Sequence, residues 1–271
     1  MSTTVTRTSR DVVTVTGPDA TTYLQGQLSQ DVAALAVGDA AWSFVLQPQG
    51  KVDTWMRVDR AAPETFRLDT DAGAGSGLVA RLERFKLRTK VEIALATDVP
   101  VLAVRGAEVL DGVPCGWPGV AGSDVFDPDP AALPTDLPVD VRPLDLLGYE
   151  ALRIRAGVPR MGAEITPDTI PAELGQWVID ASVSFTKGCY TGQELVARID
   201  SRGGNVPRHL RGLVGPGLVV GESVLVGDRS VGTVTSSSGE VGLALLHRSV
   251  EVPSAVTVGG SSVEAVPVPI A

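Results

Sequence analysis

From Val206 onward the chain reads as short valine-rich runs cut by glycine turns, as in GLVVGESVLVGDRSVGTVTSSSG. Runs this short cannot sustain helices, and β-branched valine favours a pleated, half-buried surface. Gly-Asp and Ser-Gly turns recurring at regular intervals leave a small β-barrel or sandwich as the compact solution. The spacing therefore predicts a β-rich module of about 65 residues after a boundary near residue 206, with residues 1–205 forming a separate region.

That earlier region has a mixed texture. VVTV at residues 12–15 predicts a strand ending at Gly17-Pro18. Asp19 is placed to cap a helix running to Gln27, with Ala20, Tyr23, Leu24 and Gln27 on one face. A second helix is expected over residues 78–87, with Leu78, Leu82 and Phe85 facing inward and Arg81, Glu83, Arg84 and Lys86 in water. GAGSG at residues 73–77 reads as the turn into it, since it lacks both the Lys-Ser/Thr ending of a P-loop and a GxGxxG pattern. Strands are expected over residues 90–94 and 99–104. The stretch from 111 to 143, with DGVPCGWPG and DPDPAALPTDLP, reads as loops and a crossing connection. Both element types at short spacing imply an α+β fold with antiparallel sheet.

Charge and composition exclude several functions. With 32 acidic against 23 basic residues the net charge is -9, and such a field repels nucleic acid. Two cysteines, Cys115 and Cys189, cannot build a disulfide framework, and His209 and His247 cannot supply a zinc cluster, so no metal site is expected. The first residues lack the apolar core of a signal peptide, and no apolar run is long enough to span a bilayer. A soluble, cytoplasmic protein without membrane association is expected.

The chemistry concentrates in FTKGCYTGQELVARID at residues 185–200. Thr191 and Glu194 have the spacing of a capping box ahead of Leu195, Val196 and Ile199, so a helix is expected to begin near Thr191. Cys189 then lies just before a helix N-terminus, where free amides and the dipole favour an anion. Lys187, Arg198, Arg202, Arg208 and Arg211 face only Glu194 and Asp200, a local net of +3 in an acidic chain. These features lower a thiol pKa and attract an anionic ligand. The same residues also suit a plain reading: a cap, a small buried filler and a solvated rim.

KGCYTGQE at residues 187–194 resembles the K-G-C-Y-x-G-Q-E signature of the YgfZ family. Three further segments resemble that family's motifs in the same order: GPDATTYLQGQLSQDV at 17–32, LQPQGKV at 46–52 and LRIRAGVPRMGAEI at 152–165. The resemblance covers most of residues 12–247. It implies two intertwined antiparallel-sheet lobes around a central channel, breaking near 111–143, plus a C-terminal β-barrel, as in the related glycine cleavage T-protein. It also implies a bound reduced folate such as tetrahydrofolate, and partners among iron–sulfur cluster enzymes or assembly proteins, including those serving tRNA modification. Direct nucleic-acid contact is not expected.

A folate presents a flat pterin with hydrogen-bonding edges and an acidic tail. Gln25, Gln27, Gln193 and Glu194 are the candidates for the pterin, and Lys51, Arg153, Lys187 and Arg198 for the tail. Tyr190 or Trp55 is placed to stack on the ring, and Gly188 and Gly192 of the signature are counted with the folate-binding residues. Gln25 and Gln27 equally suit a helix end. Two functions follow from the resemblance: a folate-binding maintenance factor for 4Fe–4S enzymes acting through Cys189, or a folate-dependent aminomethyltransferase like the T-protein. The T-protein carries an acid pair after a glycine pair; here, aligned on Gly50, Thr54 and Trp55 fall at those positions and Asp53 is displaced by one residue. Ser123 stands where its pterin-facing acid belongs, beside Asp124. A missing acid and a gained thiol favour the maintenance factor, without classical turnover.

Overall fold

The computed structural model describes residues 2–129, 132–201 and 203–270. The chain forms two compact units. Unit 1 gathers Met1–Gly116, Val120–Leu144 and Asp180–Ala197; unit 2 gathers Trp117–Gly119, Asp145–Ile179 and Arg198–Ala271.

Unit 1 is built on one sheet of eight strands: β1 (Thr4–Thr16), β2 (Ala40–Leu46), β3 (Val52–Ala62), β4 (Thr65–Asp71), β5 (Glu92–Arg105), β6 (Val113–Pro114), β7 (Gly122–Phe126) and β8 (Arg142–Pro143). Their order is β2-β3-β4-β1-β5-β7-β6, with β8 added in parallel on β1 and every other pairing antiparallel. Helices α1 (Ala20–Gln27) and α2 (Gly75–Phe85) cover one face. There Tyr23, Leu24, Leu78 and Leu82 pack on Val13, Val15, Met56, Val58, Phe66 and Leu68. Burying such side chains away from water supplies most of the stabilisation.

Several elements are longer than their local signals. The run at 12–15 sits inside a thirteen-residue strand, and the two runs expected at 90–94 and 99–104 join into fourteen-residue β5. A shift in the β1–β5 register between Arg10 and Val12 lets the two long strands stay paired. Asp19 occupies the N-cap position of α1 but accepts a hydrogen bond from the Lys90 backbone N–H at 2.7 Å instead of capping the helix. The loops expected over 111–143 contain β6, β7 and β8.

Arg81 departs most from expectation. The helical pattern places it on the wet face of α2, yet it is only 9 % exposed. Its guanidinium stacks 3.8 Å from the Phe85 ring centroid, donates to Gln27 Oε1 at 3.3 Å and to Leu46 O at 3.4 Å, and lies 3.4 Å from Asp53 Oδ2. A long alkyl stem carries a charged head across an apolar surface to distant acceptors, and residue type alone does not reveal that.

Unit 2 contains α3 (Leu146–Ala156) and a closed six-stranded barrel of β9 (Arg208–Val214), β10 (Ser223–Val226), β11 (Arg229–Ser238), β12 (Val241–His247), β13 (Ser254–Val258) and β14 (Ser261–Val266), in the order β10-β11-β12-β9-β14-β13. Ala244 and Leu246 of β12 join the barrel interior with Val224, Val234, Val256 and Val263. The alternate residues Leu243 and Leu245 join Ile154 of α3, as strand alternation requires. Asp145 caps α3 by accepting from the Gly148 N–H at 2.7 Å. Two further helices, α4 (Gln176–Ser182) and α5 (Gln193–Ser201), flank the KGCYTGQE segment. Among the described residues no helix is long and apolar enough to cross a membrane.

Candidate functional site

The segment entering the KGCYTGQE loop is fastened to the end of α1. Ser29 Oγ donates to Ser182 O at 2.6 Å, Gln30 Nε2 donates to Ala181 O at 3.1 Å, and the Ser184 N–H donates to Ser29 O at 3.0 Å. Trp55 Nε1 adds a bond to Ser182 Oγ at 3.0 Å. Ser29 and Gln30 were not among the expected site residues, although both stand inside the LQGQLSQDV motif.

Lys187 follows. Its ammonium donates to three backbone carbonyls, Gln25 O at 2.7 Å, Leu28 O at 2.6 Å and Gln30 O at 2.9 Å. Gln25 O belongs to the last turn of α1, where the free carbonyls and the negative end of the helix dipole favour a cation, while Leu28 is the C-cap and Gln30 lies just beyond it. Burial lowers the Lys187 pKa to about 8, with Asp31 opposing that shift. The ammonium also lies 5.2 Å from the Tyr190 ring centroid. Burial pushes the Tyr190 phenol up to about 12.

On the far side of Cys189 the chain is tied again. The Tyr190 N–H donates to Gln193 Oε1 at 3.2 Å, and the Gln193 N–H donates back to Tyr190 O at 3.4 Å. This reciprocal pair stands where a Thr191–Glu194 capping box was expected, and α5 begins at Gln193 rather than near Thr191. Gly192 has φ +84°, and a Cβ there would meet Gln47 O at 2.6 Å and Leu46 Cβ at 2.7 Å. Gly50, at φ +79°, has no more room: its Cβ would lie 2.5 Å from Leu195 Cβ. Two motifs far apart in sequence thus meet through two glycine backbones, because only glycine permits both the dihedral and the approach.

Between these anchors Gly188 and Cys189 are exposed. The result is a thiol presented to solvent on a loop tied at both ends. No group of three His, Cys, Asp or Glu among the described residues is arranged to hold a metal ion. Cys189 can therefore act as a nucleophile or as one ligand of a centre completed by another molecule, since a cluster needs about four thiolates.

The other expected residues scatter. Gln25 is committed locally, with Nε2 on Asp31 Oδ1 at 2.8 Å and Oε1 accepting from the Ala33 N–H at 3.2 Å. Gln27 accepts from Arg81. Lys51 is half-buried at the turn before β3, and Glu194 and Arg198 are exposed on α5. Trp55 is 2 % exposed and stacked on Trp42, with centroids 4.0 Å apart. Arg153 belongs to unit 2, where it is buried and bonded to Glu150, Glu164 and Ser236. Arg208, counted in the local positive charge, forks onto Glu173 at 2.9 and 3.0 Å, and Arg202 lies outside the described residues.

This arrangement fits a folate only in part. The Gln25 amide and the cations Lys187 and Arg153 are engaged within the protein, the Gln27 carbonyl oxygen accepts from Arg81, and the Trp55 ring is covered. Of the other candidates, Lys51, Tyr190, Gln193 and Glu194 belong to unit 1 and Arg198 to unit 2.

Two carboxylates bear on transferase chemistry. Asp53 is paired with Arg81, and burial raises its pKa against the opposing guanidinium. Asp124 lies between Arg57 Nη1 and Arg105 Nη1, both at 2.9 Å. Burial alone would raise Asp124, but Arg105 and Arg57 hold it below the ordinary carboxylate range. Thr54 and Trp55 are both buried.

Comparison with known proteins adds the following. The sequence profile described as CAF17, C-terminal beta-barrel domain, matches residues 205–269. A protein of Haemophilus influenzae described only as uncharacterized is 34 % identical over 208 residues, covering 76 % of this chain and 71 % of the relative. The tRNA-modifying protein YgfZ of Vibrio vulnificus is 28 % identical over 254 residues, covering 84 % and 75 %. A mitochondrial iron-sulfur cluster assembly factor IBA57 homolog of Neurospora crassa is 28 % identical over 222 residues, covering 72 % of this chain and 50 % of its own. Among solved structures, glycine cleavage system aminomethyltransferase T from Bartonella henselae superposes with a TM-score of 0.75 at 19 % identity, covering 99 % of this chain and 86 % of that one. The fold is thus T-protein-like, with the small C-terminal barrel that the valine-rich texture predicts.

Proposed function

The chain belongs to the YgfZ family, and on that premise we propose that it is a maintenance factor for iron–sulfur enzymes, acting through Cys189. One observation carries the reading: the exposed thiol sits on a loop tied down on either side, by three carbonyls at Lys187 and by the Gly50–Gly192 contact after it. A thiol held this way is available to another macromolecule while its own backbone is ordered beforehand, which lowers the cost of forming a complex. Cys189 donates its thiolate to one iron of a cluster held by a partner, displacing an exchangeable ligand such as water, and the partner supplies the remaining ligands. The partners are 4Fe–4S enzymes or assembly proteins, with tRNA-modifying enzymes among the clients. The names of the relatives support this reading.

Reduced folate belongs to the proposal as the small-molecule ligand, but not through Gln25, Lys187 or Arg153, whose polar groups are engaged. The aminomethyltransferase reading is weaker. Thr54 and Trp55 are buried where acids are required, Asp53 is paired with Arg81, and Asp124 is neutralised by two arginines.

The test is complementation in cells lacking their own family member, reading the activity of a 4Fe–4S enzyme. Cys189→Ala is expected to leave the fold intact and abolish that support. Full support by the variant would remove the thiol from the mechanism. Anaerobic calorimetry with tetrahydrofolate tests the ligand separately: saturable binding, unchanged in Cys189→Ala, is expected, and no heat at millimolar ligand would strike folate from the proposal.

A further inference from the structure

On the outer wall of the barrel, wholly within unit 2, lies a cavity of about 350 Å³. That is the lower end of the range of about 300–1,000 Å³ for small-molecule sites. Val231 and Leu245 are its apolar lining residues, and Arg208, Arg229 and His247 line it together with the hydroxyl residues Ser230 and Thr233. No Asp or Glu among the described residues lines it. Arg208 is paired with Glu173, so the cavity's uncompensated positive charge is that of Arg229.

The donors are chemically defined. Arg208 uses Nε and Nη2 on Glu173, which fixes the guanidinium plane and leaves Nη1 without a partner among the described residues. Arg229 is exposed and makes no ion pair among the described residues. At His247 the Ser249 backbone N–H donates to Nδ1 at 3.2 Å, and Ser249 Oγ lies 2.7 Å from the same atom. A nitrogen that accepts from a backbone N–H carries no proton of its own, so the neutral ring holds its proton on Nε2 and acts as a donor there. The cavity thus combines a fixed guanidinium, an exposed one, an imidazole donor and two hydroxyls with apolar lining residues.

We propose that this cavity binds a phosphate monoester. A planar carboxylate is satisfied by one arginine fork, whereas donors from separate residues around a hollow suit the several directions of a tetrahedral oxyanion. The apolar lining at Leu245 receives the organic part of the ester. The cavity belongs to unit 2 and Cys189 to unit 1.

Calorimetric titration of the full chain with β-glycerophosphate and with inorganic phosphate tests the assignment. One saturable site for the ester is expected, weakened about tenfold or more by Arg229→Met and by His247→Gln, the loss that follows removal of one charge-assisted hydrogen bond. Both side chains stand at the surface of the barrel, and circular dichroism of each variant checks that it folds. No saturable binding, or binding unchanged in both folded variants, overturns the proposal. Inorganic phosphate binding as tightly as the ester would overturn the assignment to a monoester and make free phosphate the ligand.

Discussion

Lys187 turns its ammonium toward the carbonyls of Gln25, Leu28 and Gln30, so it orders the loop that carries Cys189 rather than meeting a ligand's acidic tail. Replacing it by methionine keeps the apolar stem but leaves those carbonyls without their donor. Lys187→Met is expected to cost about 1–3 kcal/mol in urea unfolding, and to speed proteolysis within residues 184–193 before global unfolding. Gly192→Ala is expected to cost at least as much, about 1–3 kcal/mol from overpacking alone, since a Cβ there meets Gln47 O at 2.6 Å with φ at +84°. Gly50→Ala is the matching change on the opposite backbone, and equal stability of either alanine variant with wild type would show that the contact is not tight. The cysteine, its glycines and the Lys187 position were legible in sequence because the motif is long. The direction of the Lys187 ammonium was not, because it depends on where another helix ends in space.

At the level of elements, unit 1 is held across its sheet by charges that no local pattern reveals. Arg10 of β1 pairs with Asp69 and Asp71 of β4, Arg57 of β3 bridges Asp69 to Asp124 of β7, and Arg105 of β5 closes on Asp124. Trp42 of β2 lies beside Arg10 and Arg57, with centroids 6.0 and 5.9 Å away. Removing one member leaves buried guanidiniums short of a counter-charge, so Asp124→Asn is expected to destabilise by about 3–5 kcal/mol in urea unfolding. A carboxylate whose pKa falls on folding contributes its full stability above its unfolded value, near the ordinary 3.8, and loses it as pH drops toward the folded value. Wild type is therefore expected to lose stability below about pH 4 more steeply than Asp124→Asn. Parallel pH profiles for the two would refute the pairing. Strand and helix types were readable from periodicity, but Arg81 and these pairs were not, since each joins residues brought together by sheet order.

For the molecule as a whole, both units are assembled from three separate stretches of chain, so single cuts do not release them. A chain ending at residue 205 keeps α3 but loses the barrel residues Leu210, Val241, Leu243 and Leu245 that bury Ile154. Such a truncation is expected to be cleaved rapidly within residues 145–179 under limited proteolysis. Resistance equal to that of the full chain would show that α3 does not depend on the barrel. By itself the sequence determined the α+β character, the C-terminal barrel, the family signature and the single cysteine in it, because turn chemistry, short-range periodicity and motif identity are local properties. Only the tertiary structure decided which polar groups were already engaged: Lys187 on three carbonyls, Arg153 on Glu150 and Glu164, Arg81 beneath Asp53, and the cations of the barrel wall around one cavity. A side chain's partners follow from distances between residues remote in the chain, and those distances exist only once the chain has folded.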